Sequence, residues 1–359
     1  MGETKRVVVW GSGNVGRPAI RAVAAHRDLE LAGVIVNNPD KIGRDAGDLA
    51  YIDPVGVAAT DDVGLAHAAE VDAVVYTVNA DFRPIECQQE VLDTLRAGTN
   101  VVTPAFYPLY HPPTMGDDLR ALYDDACSTG NTSVFASGID PGFSMDILPL
   151  FLTGVSADIT EIRSRELFNY ALYDQPDAVR NLIGFGQPME SEPPMLMDFS
   201  LRMVWAPMVN VLADGLGVTL DRIDTEVEKR PLEKTVTVEG MGDFEEGTQG
   251  AFHFQVKGIV DGKPMIVLEH YTRIDDDCAP DWPYPPSGQG AHDVIISGHP
   301  NLHVSVHGEE AGEPGAAGGG NAVAANRLVN AIPAVCAAPN GPVHPLDLPT
   351  IVAGRQFQA

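Results

Sequence analysis

The hexapeptide Gly11-Ser12-Gly13-Asn14-Val15-Gly16 constrains this chain more than any other stretch. It follows the apolar run Val7-Val8-Val9-Trp10 and leads into an apolar-periodic segment from Val15 to His26, so the pattern reads strand, tight turn, helix. In that setting the glycines have separate physical tasks. Gly11 permits the turn, Gly13 lets the main chain approach a ligand, and Gly16 lets helix and strand pack closely. N–H groups at a helix start lack partners in their own helix and suit phosphate oxygens. Gly11, Ser12, Gly13, Asn14, Val15 and Gly16 are therefore predicted to hold the pyrophosphate of a dinucleotide.

Alternation of strands and helices continues beyond this loop. Leu31 to Val36 closes a βαβ unit and ends in the turn cluster Asn37-Asn38-Pro39-Asp40. Strands are predicted at Ala73 to Thr77, Asn100 to Thr103 and Ser133 to Ala136, with helices at Pro84 to Ala97 and Gly116 to Thr129. This is an α/β pattern with a Rossmann-type parallel sheet over residues 1–150. From 151 to 320 the texture changes to a second, α+β domain with a largely antiparallel sheet. Its predicted strands are Glu161 to Arg165, Thr235 to Glu239, Gly250 to Val260, Pro264 to Ile274 and Asn301 to His307, and its predicted helices are Asp174 to Gly184 and Met195 to Gly215. The stretch Ala311 to Gly320 reads as a flexible Gly/Ala-rich connection. Residues 321–359 are predicted to form a C-terminal helix and tail that pack back on the first domain.

Fifty Asp and Glu against 23 Lys and Arg give a formal charge of −27, a field that repels nucleic acid and anionic membranes. A small-molecule substrate is expected instead. Cys87, Cys127, Cys278 and Cys336 form no CxxC pair, which argues against a zinc site or a disulfide framework. The N-terminus runs into a strand without a signal-like apolar region, so a cytoplasmic location is expected.

An NAD-binding unit usually places an acidic residue ~20 residues beyond the glycines, against the ribose 2′-hydroxyl. Here that residue is Asn37, which does not repel a 2′-phosphate, and Asn38, Lys41 and Arg44 offer further donors. NADP is the preferred cofactor and NAD the alternative. Thr77 and Thr103, at the ends of two strands, complete the predicted cofactor edge.

Several separated motifs bear on family. Besides the glycine loop they are Lys41-Ile42-Gly43-Arg44-Asp45-Ala46-Gly47, Gly138-Ile139-Asp140-Pro141-Gly142-Phe143, Asp146-Ile147-Leu148-Pro149, Val329-Asn330-Ala331-Ile332-Pro333 and Asp347-Leu348-Pro349. In this order the chain resembles the native amine dehydrogenases and 2,4-diaminopentanoate dehydrogenase, relatives of dihydrodipicolinate reductase, over nearly its whole length. The resemblance implies an NAD(P)-binding lobe, an α+β substrate lobe, a homodimer and hydride transfer at a carbon bearing nitrogen. It also implies a glutamate after the strand ending Val101-Val102, where this chain has Phe106 or Tyr107. A reductase for a carbonyl or preformed imine is therefore as plausible as amination of free ammonia.

Hydride transfer to C=O or C=N needs a donor for the growing charge. Tyr107, Tyr110 and His111, in the loop leaving a Rossmann strand, are the candidates. Asp140 either binds a cationic substrate or caps a helix beginning near Pro141. By resemblance Phe106, Arg165, Tyr170, Tyr173, His270 and Asn321 line the substrate pocket, and Met and Trp residues between Gly184 and Asp214 hint at an apolar acceptor. His299, His303 and His307 sit four apart, but the alternation Leu302-Val304-Val306 predicts a strand, so no metal site is expected. Ser144 lacks the following glycine of a nucleophile elbow. The alternative outside enzymology is a non-catalytic NADP-binding sensor.

Overall fold

The computed structural model describes residues 4–173, 175–286, 290–311, 315–354 and 356. The chain divides into two compact units, 1–143 with 321–359, and 144–320.

The first unit is built on a seven-stranded, all-parallel sheet. Its strands are β1 (Lys5–Trp10), β2 (Leu29–Ile35), β3 (Ala59–Thr60), β4 (Ala73–Tyr76), β5 (Asn100–Thr103), β6 (Ser133–Ala136) and, from the C-terminal stretch, β15 (Gly341–Pro342). They lie in the order β15-β6-β5-β4-β1-β2-β3. Val7, Val8 and Val9 have no exposed surface, as expected of a strand covered on both faces. Helices α1 (Gly16–Ala25), α2 (Ala46–Ala50), α3 (Pro84–Arg96) and α4 (Asp117–Gly130) connect the strands. The last helix of the chain, labelled α7 (Gly315–Val335), brings Ala325, Leu328, Val329, Ile332 and Val335 into one core with Val7, Val9, Val34 and Val75.

The second unit carries α5 (Ile147–Thr153), α6 (Asp198–Leu216) and a mixed sheet of β7 (Ala157–Asn169), β8 (Arg222–Pro231), β11 (Gln249–Val260), β12 (Lys263–Arg273), β13 (Gly290–His299) and β14 (Leu302–Val306). Strands β9 (Val236–Val238) and β10 (Gly242–Phe244) form a separate antiparallel pair. The sheet order is β14-β13-β7-β12-β11-β8, antiparallel throughout except where β7 and β12 run parallel. Leu148 and Leu152 of α5 pack on Ile162, Val294 and Ile296. At Gly258 a Cβ would stand 2.7 Å from Val209, so α6 approaches the sheet where that glycine leaves room.

Several expectations need correction. The sequence pattern predicts neither β8 nor β13. Charges dominate β8, which is the sheet edge, and β13 places His292 and Asp293 inside. Of the segment predicted as a helix from Asp174 to Gly184, residues 176–182 are helical, with a wide turn over Ala178–Leu182, and Asp174 lies outside the described residues. Helix α6 starts at Asp198 rather than Met195, after a turn over Pro194–Leu196. Part of the predicted Gly/Ala-rich connection belongs to α7 from Gly315 onward, while residues 312–314 lie outside those described. No helix begins at Pro141. The nearest one is α5, and Asp146, not Asp140, accepts the Ile147 N–H at its start.

Candidate functional site

The glycine loop leaves β1 beside β4, where the strand order reverses, the place at which such sheets bind nucleotides. Gly11 has φ +106°, and a Cβ there would stand 2.7 Å from Thr77 Oγ1. A Cβ on Gly16 would lie 2.1 Å from the Gly11 carbonyl oxygen. Around a Cβ on Gly13 there is no atom within 4 Å, so the main chain faces open space at the one position expected to meet a ligand. No side chain caps the start of α1, and its first turn carries no acidic residue. The residues present therefore fit an anionic pyrophosphate.

Neighbouring residues brace this loop. The Thr77 hydroxyl donates to Trp10 O at 3.0 Å, and Asn14 Oδ1 accepts from Arg17 at 3.2 Å. Thr103 is wholly buried; its hydroxyl donates to Tyr76 O at 2.8 Å and accepts from the Ala105 N–H. That places Thr103 in the join between β4 and β5 rather than on an open cofactor edge.

Beyond β2, Asn37 and Asn38 are exposed, and Asn38 closes a turn by accepting the Asp40 N–H at 2.9 Å. Lys41 Nζ donates to both the carbonyl and the hydroxyl oxygen of buried Ser12, each at 3.1 Å. Burial, and then the charges of Arg17 and Arg44, hold the Lys41 ammonium below the ordinary lysine range. Further along, the Asp45 carboxylate braces the chain by accepting N–H groups of Gly47, Val55 and Gly56 at 2.7 to 2.9 Å. These bonds, that of Val55 first, lower the Asp45 carboxyl. A Cβ on Gly47 would meet Asp53 O at 2.3 Å, which explains why this loop needs its Asp-Ala-Gly.

After β5, Phe106 adopts φ 66°, a left-handed conformation that is unusual for a bulky residue, and stacks on Tyr76 at 6.3 Å between ring centroids. Tyr107 donates to Asp81 at 3.2 Å. Tyr110 is buried and donates to Pro104 O at 2.9 Å. His111 is also buried, with Nδ1 2.8 Å from Thr114 Oγ1 and its ring edge-on to His344. Of the three predicted proton donors, Tyr110 and His111 are thus buried. Half-buried Asp140 lies in a loop closed by the Gly142 and Gly138 backbones. Asn321 is half-buried in α7.

In the second unit the sheet sorts the predicted pocket residues by face. Arg165 donates from Nε and Nη2 to buried Asp293 at 3.1 and 3.0 Å, on the face opposite His270. The expectation that both line one pocket is corrected, because neighbours along a strand point to opposite sides. The His270 face instead presents Glu166 and His292, which sequence reasoning missed. Glu166 Oε1 is 3.2 Å from His270 Nδ1 and accepts the Tyr170 hydroxyl at 3.1 Å, and Oε2 is 3.5 Å from His292 Nε2. Burial alone would raise this carboxyl, but the neighbouring imidazoles, His270 first and then His292, outweigh it and hold Glu166 below the usual carboxylate range. Tyr173 packs on Tyr170, and Trp205 and Phe254 pack on His270. Trp205 and Met208 are buried, so that part of the Met/Trp stretch is helix core rather than pocket loop. Leu302–Val306 is a strand, in which His303 faces Asp293. Among the described residues no helix is long and apolar enough to cross a membrane.

Residues 143–356 match the family described as 2,4-diaminopentanoate dehydrogenase C-terminal domain, and residues 5–102 match dihydrodipicolinate reductase, N-terminus. An amine dehydrogenase of Streptomyces virginiae is 50% identical over 348 residues, covering 95% of both chains. The 2,4-diaminopentanoate dehydrogenase of Acetoanaerobium sticklandii is 23% identical, covering 97% of this chain and 94% of its own. The structure of an amine dehydrogenase from Mycobacterium smegmatis shares the fold at 21% identity and a TM-score of 0.67, over 97% of each chain. Both curated relatives are named as dehydrogenases, and neither supports a non-catalytic sensor. The chain belongs to the amine dehydrogenase and 2,4-diaminopentanoate dehydrogenase family of NAD(P)-dependent oxidoreductases.

Proposed function

We propose that this protein is an NADP(H)-preferring amine dehydrogenase acting on the C=N carbon of a small or medium, partly apolar substrate. The observation that carries the reading is the 50% identity to the S. virginiae amine dehydrogenase across 95% of both chains. When bound, the dinucleotide supplies or accepts the hydride; the protein binds, orients and handles protons. Main-chain amides of Ser12 to Gly16 hold the pyrophosphate. Lys41 and Arg44, with Asn37 in place of an acid, receive the 2′-phosphate, whose charge relieves the mutual repulsion of Arg17, Lys41 and Arg44. A homodimer, implied by the resemblance, belongs to the same proposal and is tested by light scattering.

One observation favours a second reading, reduction of a carbonyl or preformed imine without ammonia: Phe106 and Tyr107 stand where the resemblance implies a glutamate. Consumption of NADPH and NADH with a panel of ketones, aldehydes and cyclic imines, with and without excess ammonium, separates the two. Ammonium-dependent turnover of ketones is the expected result. Equal turnover without ammonium would replace the first reading by the second.

A further inference from the structure

Along its helix-covered face the second unit's sheet is assembled in cross-strand layers. One layer is Gly258, Ile266, Ile162 and Ile296, and the next is Val256, Leu268, Ser164 and Val294. Then the chemistry changes: Phe254, His270, Glu166 and His292 stand side by side. Glu166, His270 and His292 are 8%, 3% and 2% exposed. A fourth layer holds Thr272, whose hydroxyl is wholly buried with no hydrogen-bond partner among the described residues. The first two layers, aliphatic apart from Gly258 and Ser164, show what this face needs for packing. Three ionisable groups in one buried layer cost desolvation that aliphatic side chains would avoid.

We propose that this layer binds the substrate nitrogen as a cation, with Glu166 as its charged partner, taking over from the carboxylate that the loop after β5 lacks. The inference rests on the amine dehydrogenase reading. Carboxylate charge, the Tyr170 phenol and the rings of Trp205, Phe254 and Phe168 around the histidines form a site for a small alkylammonium or ammonium ion rather than an anion. In the direction of amine oxidation, neutral His270 takes one proton from the primary alkylammonium nitrogen, and the Glu166 carboxylate stabilises the imidazolium so formed. The freed nitrogen lone pair can then form the C=N bond as the adjacent C–H bond gives up its hydrogen as hydride, which a bound oxidised dinucleotide would accept. The product is an iminium cation that keeps two hydrogens on nitrogen. Reversal supplies the proton for amination.

The test uses the full-length protein, with n-butylammonium chloride as a calorimetric probe and ammonium as the varied substrate. Glu166→Gln should weaken butylammonium binding at least tenfold and raise KM for ammonium at least tenfold, with NADPH affinity unchanged within twofold. Unchanged butylammonium binding and KM would overturn the site. If Glu166→Gln does not melt cooperatively, Glu166→Asp replaces it; moving the charge by one methylene should shift both constants at least threefold, and no shift overturns the proposal. Ammonium-dependent turnover untouched at Glu166 would keep the amine dehydrogenase reading and sink the site. Glu166-dependent butylammonium binding in an enzyme indifferent to ammonium would do the reverse.

Discussion

In the first unit the groups proposed to meet a ligand are main-chain amides at the end of a parallel sheet, while in the second they are side chains in the middle of a sheet face. The two constructions respond differently to sequence change. A main-chain site depends on what is missing: Gly11 and Gly16 have no room for a Cβ. The Glu166 layer depends on three strands aligned in register, two of them, β7 and β12, running parallel. Steric exclusion leaves the first site little freedom to vary. The second is tunable one residue at a time, which suits a part of the molecule that distinguishes substrates.

The largest effect tests the main-chain side of this contrast. Gly16→Ala drives a methyl into the Gly11 carbonyl, where only backbone can give way, so NADPH affinity should fall at least about a hundredfold. Gly13→Ala meets no protein atom, so its melting temperature should stay near that of the wild type while NADPH affinity still drops. Calorimetry and thermal melts on the pair separate packing from ligand approach. A Gly13→Ala protein with wild-type NADPH affinity would remove Gly13 from the site.

The next effect sharpens the contrast between the two faces of the second sheet. Arg165 and Glu166 are neighbours in sequence, yet Arg165 pairs with Asp293, which is 1% exposed. Among the described residues Arg165→Ala leaves that carboxylate only His303 as a charged partner, so stability should fall by about 3 kcal/mol, the lower end for breaking a buried pair. KM for ammonium should stay within about twofold, since the lost group faces away from the Glu166 layer. Denaturant melts and steady-state kinetics check the two halves. A raised KM at full stability would return Arg165 to the substrate side.

These two residues also show why legibility differs between the sites. Spacing alone places Gly11, Gly13 and Gly16, because a tight strand-to-helix turn is a local event. Lys41 is legible for the same reason, one turn beyond the second strand. Arg165 and His270 are grouped by resemblance, but which face each takes depends on strand phase, and β13, which contributes His292 and Asp293, reads poorly as a strand because its polar residues are buried. Glu166 sits beside Arg165 in a run that reads as an ordinary charged strand. Only the register with His270 and His292 distinguishes it. Tyr110 and His111 look reactive by residue type, and their burial is not visible from their spacing.

The smallest effect concerns the proposed preference for a 2′-phosphate, for which the first unit would use side chains. Lys41 is tied to Ser12 and crowded by Arg17 and Arg44, so a 2′-phosphate gains an ion pair and relieves like-charge repulsion, whereas a 2′-hydroxyl gains little. Lys41→Ala should weaken NADPH about tenfold, near 1.4 kcal/mol, and NADH less than about threefold. Asn37→Asp should act in the same sense by adding repulsion. Because the group is only partly buried, added salt should erode the NADPH advantage in the wild type and have less left to erode in Lys41→Ala. Parallel losses for the two cofactors would make Lys41 a brace for the glycine loop through Ser12, and the preference for NADP would then lose its strongest physical support.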